Sequence, residues 1–196
     1  MTANLLRENI ERTIHQPLSE EEFKQFSQFF FQKSFDKKTI LAEEGKVCKY
    51  VYFILKGSAF LYYLNILGEK NVIQFAIEGH WITDHSSFFT QHPGLYSIET
   101  LEPTEVLIIN RENYEKTCCA NQHFERFFRI LIQNAFIGLQ NRIAKINSED
   151  AKFRYQEFSE MYPHFVQRIP QYLIASFLGI KPQSLSRVRK EIAVPK

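Results

Sequence analysis

The segment Gln171–Lys190, QYLIASFLGIKPQSLSRVRK, constrains this chain more than any other. Ile174 and Leu178 are one helical turn apart, Ala175 and Gly179 are four apart, and Leu185 and Val188 are three apart beyond Ile180. That spacing predicts two short helices joined by a tight turn. A small residue at Ala175 lets the helices cross closely, and Gly179 can take the positive φ that a sharp helix end needs. Pro170 and Pro182 fall where a first helical turn starts and a missing N–H costs nothing. In such a helix-turn-helix Ile174, Ala175, Leu178, Gly179, Leu185 and Val188 form the scaffold. The second helix then exposes Gln183, Ser184, Ser186, Arg187, Arg189 and Lys190, a surface suited to double-stranded DNA.

Charge points the same way. The net charge is only +2, but residues 1–118 carry −4 (12 basic, 16 acidic), residues 119–150 carry +1 (4 and 3) and residues 151–196 carry +5 (8 and 3). A basic C-terminal third on an acidic body is an electrostatic footprint for a polyanion. No apolar run approaches the length needed to cross a bilayer. The N-terminus is amphipathic without a signal-peptide core, so no membrane partner and a cytoplasmic location are expected. Cys48, Cys118 and Cys119 form neither a CxxC nor an even framework, so reduced thiols are expected. No GxSxG, P-loop or HExxH occurs, and no catalytic residues are expected.

The remaining chain divides by period. Residues 5–31 are helical in pattern, with Ser19 and Glu22 forming a capping box before Phe23, Phe26 and Phe30. From about Phe35, short β-branched and aromatic runs at 39–42, 51–55, 59–64, 72–75, 96–101 and 106–109 are separated by glycine turns, which predicts an all-β roll or sandwich. From Asn121 to Ile146 the period is helical again, with Phe124, Phe128, Leu131, Ala135, Leu139 and Ile143 on an apolar stripe. A helix that long suggests coiled-coil pairing across a two-fold axis, with packing on the chain's own β domain as the alternative. Ala151–Met161 reads as another helix, and Pro163 begins the approach to the helix-turn-helix.

The chain resembles the Crp/Fnr superfamily of bacterial transcription regulators, on the type found in the Bacteroidetes. The carriers are EEGKVCKYVYFILKGSAFLYY with Gly45, Gly57 and Gly79, and then RYQEFSEMYP, QRIPQYLIASFLGI and SLSRVRK. The resemblance implies an α+β chain: a double-stranded β-helix (jelly-roll-like) sensor domain over 1–118, a long dimerisation helix over 119–147 and an all-α helix-turn-helix domain over 148–196. It also implies a homodimer on palindromic DNA, with RNA polymerase as a further candidate partner. Only six residues follow Lys190, so the family's β-hairpin wing is expected to be absent. On the family motif, Gln183 and Arg187 are the candidates for base edges, since Gln pairs with adenine and Arg with guanine. Lys181 and Ser184 are assigned to phosphate, with Arg189 and Lys190 also in reach.

The roll departs from the family pattern. After the third glycine the family places Glu for a ribose, and later an Arg before Ser for a cyclic phosphate. Here Gly79 is followed by His80 and Trp81, and no Arg occurs between Arg12 and Arg111. A buried phosphate needs a cation or several N–H donors, so cyclic AMP or GMP is not expected in the usual mode. His80, Trp81, Asp84, Tyr96 and Ser97 mark the candidate sensor pocket. His80, Asp84, His85 and His92 match no ligand spacing, and no metal is expected. Trp81, Phe88, Phe89 and Tyr96 either line a cavity for an unidentified small ligand or fill it. A second reading of the whole chain is a small-molecule-binding or protein-interaction module with a vestigial helix-turn-helix.

Overall fold

The computed structural model describes residues 2–193. Two compact units divide the chain at 63/64, 73/74 and 135/136, so that the hairpin tip 64–73 groups with 136 onward.

The first unit opens with α1 (Thr2–Ile14) and α2 (Glu20–Ser27). The predicted helical stretch breaks between them because His15 takes a left-handed φ of +55° and Ser19 then caps a new helix. The capping box forms as expected: Glu22 N–H donates to Ser19 Oγ at 3.2 Å and Ser19 N–H to Glu22 Oε2 at 2.9 Å. Donation from the Ser19 N–H and from Ser19 Oγ to the Glu22 carboxylate holds that carboxyl below its ordinary pKa. Phe31, expected at the end of the helix, instead starts a strand.

Eight strands follow: β1 (Phe31–Phe35), β2 (Ile40–Ala42), β3 (Tyr50–Lys56), β4 (Ala59–Leu64), β5 (Lys70–Ala76), β6 (Trp81–Ile82), β7 (Ser97–Thr100) and β8 (Thr104–Asn110). They form two four-stranded sheets, ordered β1-β8-β3-β6 and β2-β7-β4-β5. The antiparallel register places Tyr52 opposite Ile108 and Phe53 opposite Leu107. Side chains alternate across a strand. Accordingly Tyr52, Ile54, Ile82, Val106 and Ile108 are buried on one face, while Val51, Phe53, Leu55, Trp81 and Ile109 join the helices on the other. The other sheet contributes Phe60, Tyr62 and Ile98, all buried, with the Phe60 and Tyr62 rings stacked at 4.9 Å.

The helix-facing side is an aromatic core. Helices α3 (His85–Thr90), α4 (Arg111–Ala120) and α5 (Gln122–Ser148) complete it. Phe26 lies 4.6 Å from Phe124 and 6.1 Å from Phe127, Phe53 lies 4.8 Å from Trp81, and Tyr114 lies 4.5 Å from Phe128, as ring centroids. Trp81 Nε1 donates to Asn9 Oδ1 at 2.9 Å, and Asn9 Nδ2 donates to the Gly79 carbonyl at 2.9 Å. A buried indole N–H needs such a partner, and this one ties α1 to the sheet.

The second unit contains α6 (Ala151–Met161), α7 (Pro163–Arg168), α8 (Gln171–Phe177) and α9 (Pro182–Ala193). Asp150 caps α6 through Phe153 N–H at 2.8 Å, and α9 packs on α6 and α8. The core here is Tyr155, Phe158, Phe165, Ile169, Leu173, Ile174, Ala175, Leu178, Leu185 and Val188. No helix among the described residues is long and apolar enough to cross a membrane. The expected absence of a wing turns on a tail whose residues 194–196 lie outside the described residues.

Candidate nucleic-acid interface and roll pocket

The turn between α8 and α9 is a Schellman cap. Ile180 N–H donates to Ala175 O at 3.0 Å and Gly179 N–H to Ser176 O at 3.1 Å, and Gly179 carries the required left-handed φ of +65°. A Cβ at Gly179 would lie 3.4 Å from Ile146, an ordinary contact, so glycine is needed for its conformation rather than for space. Pro182 opens α9 as expected, while Pro170 sits one residue earlier than expected, as the N-cap of α8.

Helix α9 has a clean division of labour. Leu185 and Val188 are buried and anchor one face. At about 100° per residue, Gln183, Ser186, Arg187 and Lys190 project from the opposite face, and all four are exposed. Ser184, half-buried, and Arg189, exposed, flank this row on its two sides. Lys181 is exposed at the turn. Arg187 Nε stands 3.9 Å from Glu191 Oε1, a loose surface pair that a phosphate or base could replace. The exposed row presents one amide, one guanidinium, one ammonium and one hydroxyl along a single helix face.

The apolar stripe on α5 divides into a buried part and an exposed part. Phe124 and Phe128 are 0% and 2% exposed within a single chain, so they belong to its own core and not to a dimer seam. This corrects the expectation for both, and the cause is plain: Phe26 and Tyr114 already cover them. Leu131 is partly buried against the same cluster. Beyond it Ala135, Leu139 and Ile143 are exposed in the single chain. Phe136 (59% exposed) and Ile137 (52%) join them, and neither was among the expected seam residues. The signal was present in the order Ile132, Phe136, Leu139, Ile143, Ile146, whose 4-3-4-3 spacing is that of coiled-coil core positions.

The five residues expected at a sensor pocket are engaged separately. His80 is exposed, with Nδ1 3.2 Å from the Glu78 carbonyl. Trp81 points into the helix-facing core, away from the space between the sheets. Asp84 is buried and caps α3, accepting Ser87 N–H at 3.1 Å. Tyr96 meets Tyr63 edge-on at 6.4 Å, and Ser97 Oγ accepts Glu44 N–H at 3.0 Å. Phe88 and Phe89 pack with Tyr114, so they and Trp81 fill rather than line. Among the described residues no group of three or more His, Cys, Asp or Glu could hold a metal ion. The Cys118 thiol is pushed up to about 11 by burial, which leaves it a thiol at neutral pH.

Residues 32–121 match the cyclic nucleotide-binding domain family. No curated protein gives a match. Among solved structures, FixK2 from Bradyrhizobium japonicum superposes with a TM-score of 0.72 over 83% of this chain and 84% of that chain, at 16% identity. The catabolite activator protein of Thermus thermophilus gives 0.60 over 92% and 86%, at 16% identity. A protein of Eubacterium rectale assigned to the crp/fnr family of transcriptional regulators gives 0.67 over 89% and 83%, at 18% identity. The chain has the Crp/Fnr fold.

Within that Crp/Fnr fold, Gly79 leads into β6 through His80. Across 88–97 there is no Lys or Arg, and Leu95 is 71% exposed. Gly94 is held so tightly that a Cβ would lie 2.1 Å from Asp84 Oδ2, which sets a carboxylate, not a cation, against this loop.

Proposed function

We propose that this protein is a homodimeric, sequence-specific DNA-binding transcription regulator of the Crp/Fnr type, whose roll does not take cyclic AMP in the usual mode. The observation that carries the proposal is the exposed row Gln183, Ser186, Arg187 and Lys190 set opposite the buried anchors Leu185 and Val188. In this reading the roll is a sensor domain, α5 pairs two copies, and α9 enters the major groove. The dimer supplies two such helices, which suits a palindromic operator. The protein works by binding, without catalysis, in the compartment that holds the DNA.

Selection of duplexes from a random pool by the purified full chain, read by sequencing and by gel shift across a salt series, tests the proposal. A two-fold-symmetric site is the expected product. Arg187→Ala should weaken binding to that site by about 1–3 kcal/mol and relax the preference at one base pair. Lys190→Ala should weaken all duplexes evenly and flatten the salt slope by about one. Enrichment of no sequence at low salt would overturn the reading and favour an interaction module with a vestigial helix-turn-helix.

The altered pocket gives a separate expectation. Titration calorimetry with cyclic AMP and cyclic GMP should show no binding at about 100 μM ligand, because neither a ribose carboxylate nor a phosphate cation is present. Saturable heat with a Kd below about 10 μM would show that N–H donors alone suffice.

A further inference from the structure

The tip of the β4–β5 hairpin falls in the same compact unit as α6–α9, and its backbone is stitched to them by two side chains. Strand β5 is an edge strand, last in the order β2-β7-β4-β5. Edge strands present a row of backbone groups without a neighbouring strand. Here Ser176, on α8, takes the place of that neighbour. Its Oγ accepts Val72 N–H at 2.9 Å and donates to Lys70 O at 2.9 Å. Arg142, on α5, does the same one step along. Nη2 donates to Val72 O at 3.0 Å and Nη1 to Ile73 O at 2.8 Å. Its Nε donates to Phe177 O at 2.9 Å, in the last turn of α8, and its plane lies 4.3 Å from the Phe177 ring centroid.

One guanidinium thus holds three carbonyls from two segments, which uses the fixed fork of Arg and cannot be copied by the single ammonium of Lys. A cation on the last carbonyls of α8 also opposes the helix dipole. None of these contacts involves α9, whose reading row stays exposed. The arrangement therefore supports the reading helix from behind and does not cover it.

Resting on the DNA-binding reading above, we propose that Arg142 and Ser176 clasp the hairpin tip 64–73 to α8, and that they are positioning residues for DNA recognition. The clasp makes the hairpin a structural member of the DNA-binding body. Preorganisation of this kind contributes to affinity by removing the cost of ordering the bound geometry.

Two measurements on the full chain test it: amide hydrogen exchange over 64–76, and affinity for the duplex selected above across a salt series. Ser176→Ala should speed exchange at Val72 and weaken duplex binding about tenfold, with an unchanged salt slope, since Ser176 makes no phosphate contact in this reading. Ser176→Thr keeps the hydroxyl and should restore both. Arg142→Ala should likewise speed exchange over 64–76 and weaken duplex binding, and Arg142→Lys, which keeps the charge but loses the fork, should do the same. Unchanged exchange in Ser176→Ala would overturn the clasp. Faster exchange with unchanged affinity would overturn the positioning role. A wild-type chain that selects no duplex would overturn the DNA-binding reading and the positioning role with it, while exchange still decides the clasp.

Discussion

Replacing both Phe136 and Ile143 by Glu should turn a dimer into a monomer and weaken operator binding by a factor of about 10²–10⁴, the loss expected when two linked half-site contacts become independent. Both side chains are more than half exposed in the single chain, at 59% and 53%. An exposed helical position tolerates Glu with little loss of fold stability, whereas a seam position does not. Two like charges brought together across a two-fold axis, each without a partner, cost several kcal/mol in an apolar seam. Light scattering and far-ultraviolet circular dichroism separate the two effects: a halved mass with an unchanged helical signal is the expected pair. If wild type and variant have the same mass and the same duplex affinity, α5 is not the seam. Leu139→Glu alone should give a weaker form of the same result, since Leu139 is 41% exposed and lies between the two on the stripe.

The division of that stripe explains what sequence can and cannot deliver. Helical period marks apolar residues that want cover, but it is silent on whether the cover comes from the same chain. Phe124 and Phe128 are covered by Phe26 and Tyr114, which stand 98 and 14 positions earlier in the chain. Phe136 and Leu139 continue the same period and remain 59% and 41% exposed. Elements whose signals are local were legible: the Ser19–Glu22 box, the Ala151–Met161 helix between Asp150 and Pro163, and the Gly179 turn. Strand β1 was not, because four of its five residues are exposed and only the register with β8 makes it a strand. Trp81 was misplaced for a related reason. As a bulky residue in a two-residue strand it has no alternation to show which face it takes, and its direction is settled by Asn9, 72 positions earlier. The Arg142–Ser176 clasp was illegible for the same cause, since a side chain that caps a strand edge leaves no pattern at all.

Phe127→Ala should be the most destabilising substitution of those considered, at about 3–5 kcal/mol, and should lower the melting temperature by roughly 10 °C or more. Phe127 is 0% exposed. Its ring stands 5.1 Å from Phe128, 5.6 Å from Trp81 and 6.1 Å from Phe26, as centroids, so truncation opens a cavity walled by other rings. Aromatic walls collapse poorly into such a space, because each ring is already fixed by its own neighbours. The chain has one Trp, at position 81, and its indole borders the cavity directly. Fluorescence therefore reports the same event as the melt: a changed emission at low temperature, with the Asn9 bond loosened, and an earlier cooperative transition. Phe127→Leu should recover more than half of the loss, because it refills most of the volume with apolar atoms. A loss below about 1 kcal/mol would place Phe127 at the surface of this core and would return the N-terminal half of α5 to the set of partner-facing residues.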